Sequence, residues 1–250
     1  MRLPPYHWWR TVFFLIPAIG LYTIVLGTLS IASSLVERRG RFAHGCARLW
    51  SRLILRTTGV RVRAAGVERL DPGASYVLAS NHQSIYDIPI VFDTLPLQLR
   101  IVAKASLGRF PFLGWHLSRT GHLLVRRENP GASVFRRMAG LVGDGASLIV
   151  FPEGTRSRDG RVGRFKGGPF LIAIDAGLPL VPVTVAHSRH VMLKGRLMTC
   201  PGTVDLIVHE PIATAGLTRD DARALAERVR AVVAAGLVGA GDGPPAEAGP

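Results

Sequence analysis

The chain has 250 residues and two cysteines, which excludes a scaffold held by disulfides and a zinc site with four cysteine ligands. Hydrophobic residues make up 48% of the sequence, which excludes a disordered chain. Lys and Arg number 31 against 17 Asp and Glu, a formal net charge of +14. Such a charge favours an anionic partner, either nucleic acid or the phosphates of a membrane surface.

A long uncharged segment near the start favours the membrane. The run from Thr11 to Val36 would extend about 39 Å as a helix, more than a bilayer core requires. Trp8 and Trp9 precede the run and a basic cluster at 37–41 follows it, which is typical of a retained anchor rather than a cleaved signal peptide. The positive-inside rule predicts that the rest of the chain lies on the cytoplasmic side of the cell (inner) membrane. A buried core helix is the alternative.

The next segment extends the predicted anchor. The apolar positions between Phe42 and Thr57 recur at helical spacing and alternate with arginines, as in a basic amphipathic helix. Such a helix suits the headgroup layer, but one packed on the domain with a solvated basic face has the same pattern. We therefore predict membrane-anchoring helices over residues 1–58. Pro17, Gly20 and Gly27 leave open whether the first helix spans the bilayer or lies within one leaflet.

Beyond Gly59, short β-rich runs alternate with stretches compatible with helices, which predicts an α/β domain around a largely parallel sheet. The predicted strands are 60–62, 76–80, 100–103, 122–125, 147–151, 180–186 and 204–209, and the predicted helices are 131–142, 168–176 and 219–235. Thr218 and Asp221 form a predicted capping box for the last helix. We assign the domain to residues 59–236. Residues 237–250 are rich in Gly, Ala and Pro and predict a disordered tail.

A histidine and an aspartate follow the second predicted strand, in the sequence SNHQSIYD at 80–87. The end of a strand is where α/β folds place their sites. Asp87 can fold back toward His82, hold one ring nitrogen as N–H and leave the other free as a base. Ser84 is predicted to cap a helix that begins there. The sequence has no serine or cysteine in a nucleophile elbow, so the substrate itself would supply the hydroxyl that His82 activates.

A second candidate loop, FPEGTRS at 151–157, also ends an apolar strand. Gly154 allows a tight turn, and Thr155 and Arg156 offer donors suited to phosphate. Further cations follow at Arg158, Arg161, Arg164 and Lys166. An ordinary solvated polar loop remains the alternative.

Together these stretches resemble the glycerolipid acyltransferase family, and most closely the 1-acyl-sn-glycerol-3-phosphate acyltransferases. The four blocks of the family are matched in order by 81–87, by 104–126, by 151–157 with the following Phe165-Lys166-Gly167, and by 181–183. The first and third blocks in combination are highly specific. The resemblance covers roughly residues 60–210 and implies a single glycerolipid-acyltransferase-like domain with a mixed, largely parallel sheet flanked by helices.

The resemblance also implies an activity and roles for residues. A fatty acyl group would pass from acyl-CoA or acyl carrier protein to the 2-hydroxyl of lysophosphatidic acid, giving phosphatidic acid in phospholipid biosynthesis. His82 would be the general base and Asp87 its orienting partner. The residues implied in holding the acceptor's glycerol phosphate are Glu153, Gly154, Thr155 and Arg156, with Lys104 and Arg126 as further candidates. No metal and no cofactor other than the acyl donor is expected.

Three other functions compete with this one. A nucleic-acid-binding protein would explain the charge but not the uncharged run, and we expect no nucleic-acid partner. A non-catalytic lipid-binding membrane protein would not need the pair formed by His82 and Asp87. An acyltransferase acting on another lysolipid, such as a lyso-ornithine lipid, would share the same blocks. The expected partners are a lysophospholipid acceptor, the acyl donor and membrane lipids.

Overall fold

The computed structural model describes residues 5–37, 39–109, 113–125, 140–141 and 144–241. It begins with a long helix, α1 (Tyr6–Ser33), followed by α2 (Arg41–Thr58). Among the described helices, α1 is the one that is long and apolar enough to cross a membrane, and only 6% of its most apolar stretch is buried in the protein. A π-helical turn, Thr11–Leu15, precedes Pro17. Because proline has no N–H to donate to the preceding turn, it disturbs regular α-helical bonding at this point.

The sheet confirms the predicted mixed, largely parallel α/β fold. Its strands are β1 (Val60–Ala65), β2 (Val77–Ser80), β3 (Leu99–Lys104), β4 (Leu123–Val125), β5 (Ser147–Val150), β6 (Leu180–Ala186) and β7 (Gly202–Val208). They lie in the order β1-β7-β6-β2-β5-β3-β4, and every pair is parallel except β6 with β7. The first strand runs three residues further than predicted because its pairing with β7 continues to Ala65.

Helices cover both faces of the sheet. They are α3 (Asp87–Thr94), α4 (Leu113–Arg119), α5 (Gly168–Ala176), α6 (Ser188–Val191) and α7 (Ala222–Gly239). Leu78 of β2 joins the core under α2 and α3, whereas its neighbours Val77 and Ala79 join the core under α5 and α7. Alternate side chains of a strand point to opposite faces, so this central strand is buried on both sides.

A 3₁₀ turn, Arg219–Asp221, lies where the last helix is predicted to begin, and the α-helix that follows it ends later than predicted. The carboxylate of Asp221 accepts the backbone N–H of Thr218 at 2.7 Å, within a capping box. The helix then continues to Gly239, three residues into the segment predicted as a tail. The rest of that tail, 242–250, and most of the predicted helix at 131–142 lie outside the described residues.

A buried arginine joins the two N-terminal helices to the sheet. The Arg100 side chain, on β3, donates from Nη2 to the carbonyl oxygens of Arg39 and Gly40 at 2.8 and 3.3 Å, just before α2 begins. Gly40 has φ of 65°, and a Cβ there would come within 2.8 Å of the same Nη2 atom, so glycine suits both the turn and the close approach. Glu37 accepts the N–H groups of Arg41 and Phe42 and thereby caps α2.

Three histidines surround this arginine and stay neutral. Burial, with a smaller contribution from the nearby Arg100 guanidinium, lowers the pKa of both His44 and His116 to about 4. Burial also lowers the pKa of His122 well below its usual range. The backbone N–H of Ile101 donates to Nδ1 of His122 at 3.0 Å, which requires that nitrogen to be unprotonated. His116 Nδ1 is hydrogen bonded to Ser30 Oγ of α1 at 2.8 Å.

We predict that acid lowers the free energy of unfolding through these buried histidines. Because the folded-state pKa of His116 lies below 6.5, the unfolded chain takes up its proton first, and stability falls as the pH drops from 6.5 toward 4. Gln at position 116 can still bond Ser30 but does not titrate. His116→Gln should therefore reduce the loss of unfolding free energy by about 1.4 kcal/mol per pH unit. Unfolding in mild detergent at pH 7.5 and 4.5 measures the effect. The exposed His190→Gln serves as control, and equal pH dependence in both variants would contradict the prediction.

Candidate active site

The two candidate loops lie at one edge of the sheet. Strand β2 pairs in parallel with both β5 and β6, so the segments after these strands emerge side by side. The segment 81–86 follows β2, and 151–157 follows β5. The backbone N–H of Ser157 donates to the carbonyl oxygen of His82 at 2.7 Å, which joins the loops directly. This carboxyl edge is where α/β sheets hold their ligands.

Asp87 organises the first loop. Its side chain is fully buried at the start of α3, and its Oδ2 atom accepts three hydrogen bonds. Two come from the backbone N–H groups of Gln83 and Ser84, at 2.7 and 2.9 Å. The third joins Oδ2 to Nδ1 of His82 at 2.7 Å. Since an ionised carboxylate can only accept, Nδ1 of His82 carries the proton and Nε2 is left as an acceptor.

The predicted cap by Ser84 is wrong. The helix begins at Asp87, three residues later, with no side-chain cap. The hydroxyl of Ser84 instead donates to the carbonyl oxygen of Met192 at 3.0 Å. The backbone N–H of Ser84 donates to the Asp87 carboxylate, so the side chain that stabilises this turn is that of Asp87 at its end and not that of Ser84 at its start.

The imidazole of His82 is held from a second direction by an aromatic ring. Phe151, at the end of β5, stacks on it with ring centroids 4.3 Å apart and planes 26° apart. The His82 side chain remains partly exposed while that of Asp87 is buried. The arrangement therefore fixes the ring between a carboxylate and an aromatic face and leaves its outer edge accessible.

Glu153 connects the two loops through its carboxylate. Oε1 accepts the backbone N–H of His82 at 2.8 Å, and Oε2 accepts that of Gly163 at 3.1 Å. Burial raises the pKa of Glu153, and these two backbone donors partly oppose that shift. Both oxygens are thus engaged within the protein, which suits a positioning role. Its predicted role in binding the acceptor stays a prediction.

The remainder of the motif forms a tight turn and then contacts Lys194. Gly154 has φ of 76° and closes a turn in which its N–H donates to the carbonyl oxygen of Phe151. Thr155 is exposed, and its hydroxyl accepts from Nζ of Lys194 at 2.9 Å. The half-buried Arg156 accepts from the same Nζ through its carbonyl oxygen at 2.8 Å. The guanidinium of Arg156 forms no hydrogen bond within the described ranges, so it is open to a ligand.

Of the two further candidates for binding the acceptor phosphate, Lys104 and Arg126, the structure describes only Lys104. Lys104 is the last residue of β3, which runs parallel to β5, so its backbone lies toward the same edge of the sheet. Arg126 lies outside the described residues. The binding roles of both residues stay predictions.

Two residues contribute to the site although the sequence assigned them no role. The side-chain amide of Asn81 bonds both backbone groups of Val185, donating to its oxygen and accepting from its nitrogen at 2.8 Å each. This fixes the start of the His82 loop to β6. Lys194 reaches the second loop from a position 39 residues further along the chain. The motif signals Asn81, but no local pattern signals Lys194.

The geometry suits general-base catalysis on an external hydroxyl. A neutral imidazole with a fixed tautomer and an accessible Nε2 can take a proton from an alcohol placed beside it. Cys46 is buried and Cys200 half-buried, and among the hydrogen bonds of the described residues none joins either cysteine to His82. Among the described residues, no three His, Cys, Asp or Glu side chains are arranged to hold a metal ion.

Comparison with known proteins agrees with this geometry. A family model described as Acyltransferase matches residues 61–186, half of the chain. The chain is 35% identical over 215 residues to a chloroplastic 1-acyl-sn-glycerol-3-phosphate acyltransferase of Brassica napus, covering 82% of this chain and 62% of that protein. It is 34% identical over 176 residues to 1-acyl-sn-glycerol-3-phosphate acyltransferase alpha of Mus musculus, covering 69% of this chain and 62% of that one. The chain thus spans about three-fifths of the length of these relatives.

A solved structure extends the likeness to nearly the whole fold. The 1-acyl-sn-glycerophosphate acyltransferase PlsC of Thermotoga maritima superposes with a TM-score of 0.72 at 26% identity. The match covers 89% of this chain and 94% of that one. The matched family region contains both loops of the site, including His82, Asp87 and the 151–157 motif. The chain belongs to the acyltransferase family.

Proposed function

We propose that the protein transfers a fatty acyl group from a thioester donor, acyl-CoA or acyl carrier protein, to the 2-hydroxyl of 1-acyl-sn-glycerol 3-phosphate. The observation that carries the proposal is the His82 imidazole, held through Nδ1 by Asp87 with Nε2 accessible, in a member of the acyltransferase family. The names of the Brassica and mouse relatives and of the Thermotoga structure support this acceptor. The product would be phosphatidic acid, an intermediate of phospholipid synthesis.

The reaction requires one base and no covalent intermediate. Nε2 of His82 takes the proton of the acceptor's 2-hydroxyl as its oxygen attacks the thioester carbonyl. The new C–O bond forms, the C–S bond breaks, and the thiolate leaves with the proton that His82 returns. Asp87 stabilises the transient imidazolium. General-base catalysis of this kind supplies about 10²–10⁴-fold, and orientation of the two substrates supplies much of the rest.

The acceptor phosphate fits beside the second loop. It is attached to the carbon next to the one that bears the reacting hydroxyl, so it must lie close to His82. Arg156 is near because the next residue, Ser157, bonds the His82 carbonyl oxygen at 2.7 Å. Its forked guanidinium has no partner within the described ranges and suits two phosphate oxygens. Lys104 and Arg126 are further candidates, and no cofactor beyond the donor is proposed.

We further propose that the first helix lies in one leaflet of the membrane. Polar contacts join α1 to the rest of the protein along its length, from Thr11, which accepts from Thr199 N, through Thr23, which accepts from Trp50 Nε1, to Ser30. Thr11 and Ser30 are about 28 Å apart along the axis. A helix crossing the bilayer in this attachment would carry the polar domain into the hydrocarbon. An orientation in the plane of the cytoplasmic leaflet avoids that cost and lets the lysolipid enter from the membrane.

The base and its partner give the first test of the function. We expect His82→Ala to lower kcat at least about 100-fold, because the hydroxyl loses its proton acceptor. Asp87→Asn should be comparably impaired, since the amide cannot stabilise the imidazolium and favours the wrong tautomer. Acyl transfer from acyl-CoA to lysophosphatidic acid measures both. Near-normal turnover by His82→Ala, or an acyl group trapped on the protein without acceptor, would contradict the mechanism.

Arg156 tests the placement of the acceptor. We expect Arg156→Ala to raise KM for lysophosphatidic acid about tenfold or more, and much less for the donor, because a charge-assisted contact to phosphate is lost. Arg156→Lys should also be impaired, since one ammonium cannot replace the fork. Steady-state kinetics with each substrate varied in turn decides the matter. Equal changes in the KM values for lysophosphatidic acid and for the donor would contradict the binding of the acceptor phosphate by Arg156.

The exposed face of α1 tests membrane attachment. Leu21 and Ile24 are both about half exposed, on the side away from the domain. Burying one such side chain in lipid contributes about 1.5–3 kcal/mol, so the double change to Asp should reduce binding to phospholipid vesicles by at least about 100-fold. Flotation with vesicles measures the bound fraction. Arg228→Ala, on the exposed side of α7, is the control and should bind like the original protein. Unchanged flotation of the Asp variant would disprove this orientation.

A further inference from the structure

A basic cleft lies beside the second loop and plays no part in the reaction described so far. Its volume is about 470 Å³. The lining residues are Arg158, Arg189, Leu193, Lys194, Gly195 and Arg196. Four of these six are cationic and none is acidic. Together with the single apolar side chain, Leu193, they form a concave surface of the size that holds a small molecule.

The cations of the cleft are not neutralised by the described residues of the protein. Within the described part of the chain, none of the four forms an ion pair with a carboxylate. Nη2 of Arg189 donates to the carbonyl oxygen of Arg158 at 2.9 Å, and its Nε is buried without a partner. Like charges gathered in one concavity repel each other and attract a multiply charged anion.

Both walls of the cleft are fixed to the catalytic loop. On one side, Ser157 bonds the His82 carbonyl oxygen at 2.7 Å, and Gln83 Nε2 donates to the Gly160 carbonyl oxygen at 2.6 Å, so the loop with Arg158 runs directly beside the site. On the other side, the hydroxyl of Ser84 bonds the carbonyl oxygen of Met192, next to Leu193. Lys194 closes the gap between the walls by bonding Thr155 and Arg156. The cleft is therefore held in a fixed position beside the second loop.

We infer that this cleft binds the phosphates of an acyl-CoA donor, an inference that rests on the proposed acyl transfer. The acceptor's single phosphate is attached one carbon from the reacting hydroxyl and must stay near His82. The phosphates of CoA are separated from the thioester by the whole pantetheine arm, so they must lie further out. The cleft is one loop beyond His82, and its four cations match the several negative charges of CoA. Leu193 offers an apolar contact for the adenine.

The test uses two donors with the same acyl thioester and pantetheine arm, of which one carries the phosphates and nucleotide of CoA and the other does not. Palmitoyl-CoA is compared with palmitoyl-pantetheine, which carries the same thioester without phosphate or nucleotide. The variant is Arg158→Ala with Arg196→Ala, because both side chains are exposed and neither is bonded within the described ranges. We expect KM for palmitoyl-CoA to rise about tenfold or more and to depend less steeply on salt. KM values for palmitoyl-pantetheine and lysophosphatidic acid should not change.

A matched control removes the same charge elsewhere. Arg61→Ala with Arg228→Ala changes two exposed arginines of β1 and α7 that do not line the cleft, and it should leave every KM as in the original protein. An equal rise in KM for both donors, a rise for lysophosphatidic acid alone, or a rise for acyl carrier protein alone would overturn the inference. So would unchanged donor kinetics with lost binding to phosphatidylglycerol vesicles, which would make the cleft a lipid-headgroup site.

The outcome is separable from that of the proposed function. Calorimetric titration of the full-length protein with CoA measures occupancy of the cleft without any acyl transfer. We expect the Arg158, Arg196 double variant to weaken CoA binding about tenfold, and the control pair to leave it unchanged. If the original protein binds CoA in this way but acylates no lysophosphatidic acid, the acceptor assignment fails and the cleft stands. Equal CoA binding by the double variant and the original protein would disprove the cleft.

Discussion

The buried carboxylate of Asp87 is the interaction on which the site depends. Its Oδ2 atom accepts the backbone N–H groups of Gln83 and Ser84 and the Nδ1 proton of His82. A carboxylate with no exposure is stable only if such donors compensate its charge. The bonds that Oδ2 accepts therefore fix the turn, orient the imidazole and determine its tautomer, whereas Oδ1 is buried without a hydrogen-bond partner among the described residues. The Asp87 carboxylate thus both stabilises the loop and fixes the orientation of the His82 ring.

The loops around this pair form one unit because side chains bond the backbone of their neighbours. Glu153 bonds the N–H of His82, and Asn81 bonds Val185 in both directions. Lys194 bonds the loop that contains Thr155 and Arg156. Backbone groups cannot be moved by changing a rotamer, so these contacts hold the site more firmly than contacts between side chains would. A preorganised base and ligand loop reduce the reorganisation that the reaction requires.

The two N-terminal helices are also joined by hydrogen bonds to the domain that carries the site. Arg100 holds the start of α2 through the carbonyl oxygens of Arg39 and Gly40, and His116 holds α1 through Ser30. In the proposed function, this attachment brings the lysolipid from the leaflet to His82, while the acyl-CoA approaches from water through the basic cleft. The large positive charge of the chain then serves two purposes, attraction to the membrane and binding of an anionic donor.

Local patterns in the amino-acid sequence are sufficient to predict single elements and short motifs. Apolar runs located the strands, the long uncharged stretch located α1, and the five-residue spacing with its family motif singled out His82 and Asp87. Other features depend on pairs of residues far apart in the chain and are visible only in the folded protein. These include the position of β7 between β1, to which it is parallel, and β6, to which it is antiparallel. They also include the engagement of both Glu153 oxygens and the approach of Lys194 to Thr155. Hydrophobic periodicity records which face of an element is buried, but it does not record which remote segment covers that face.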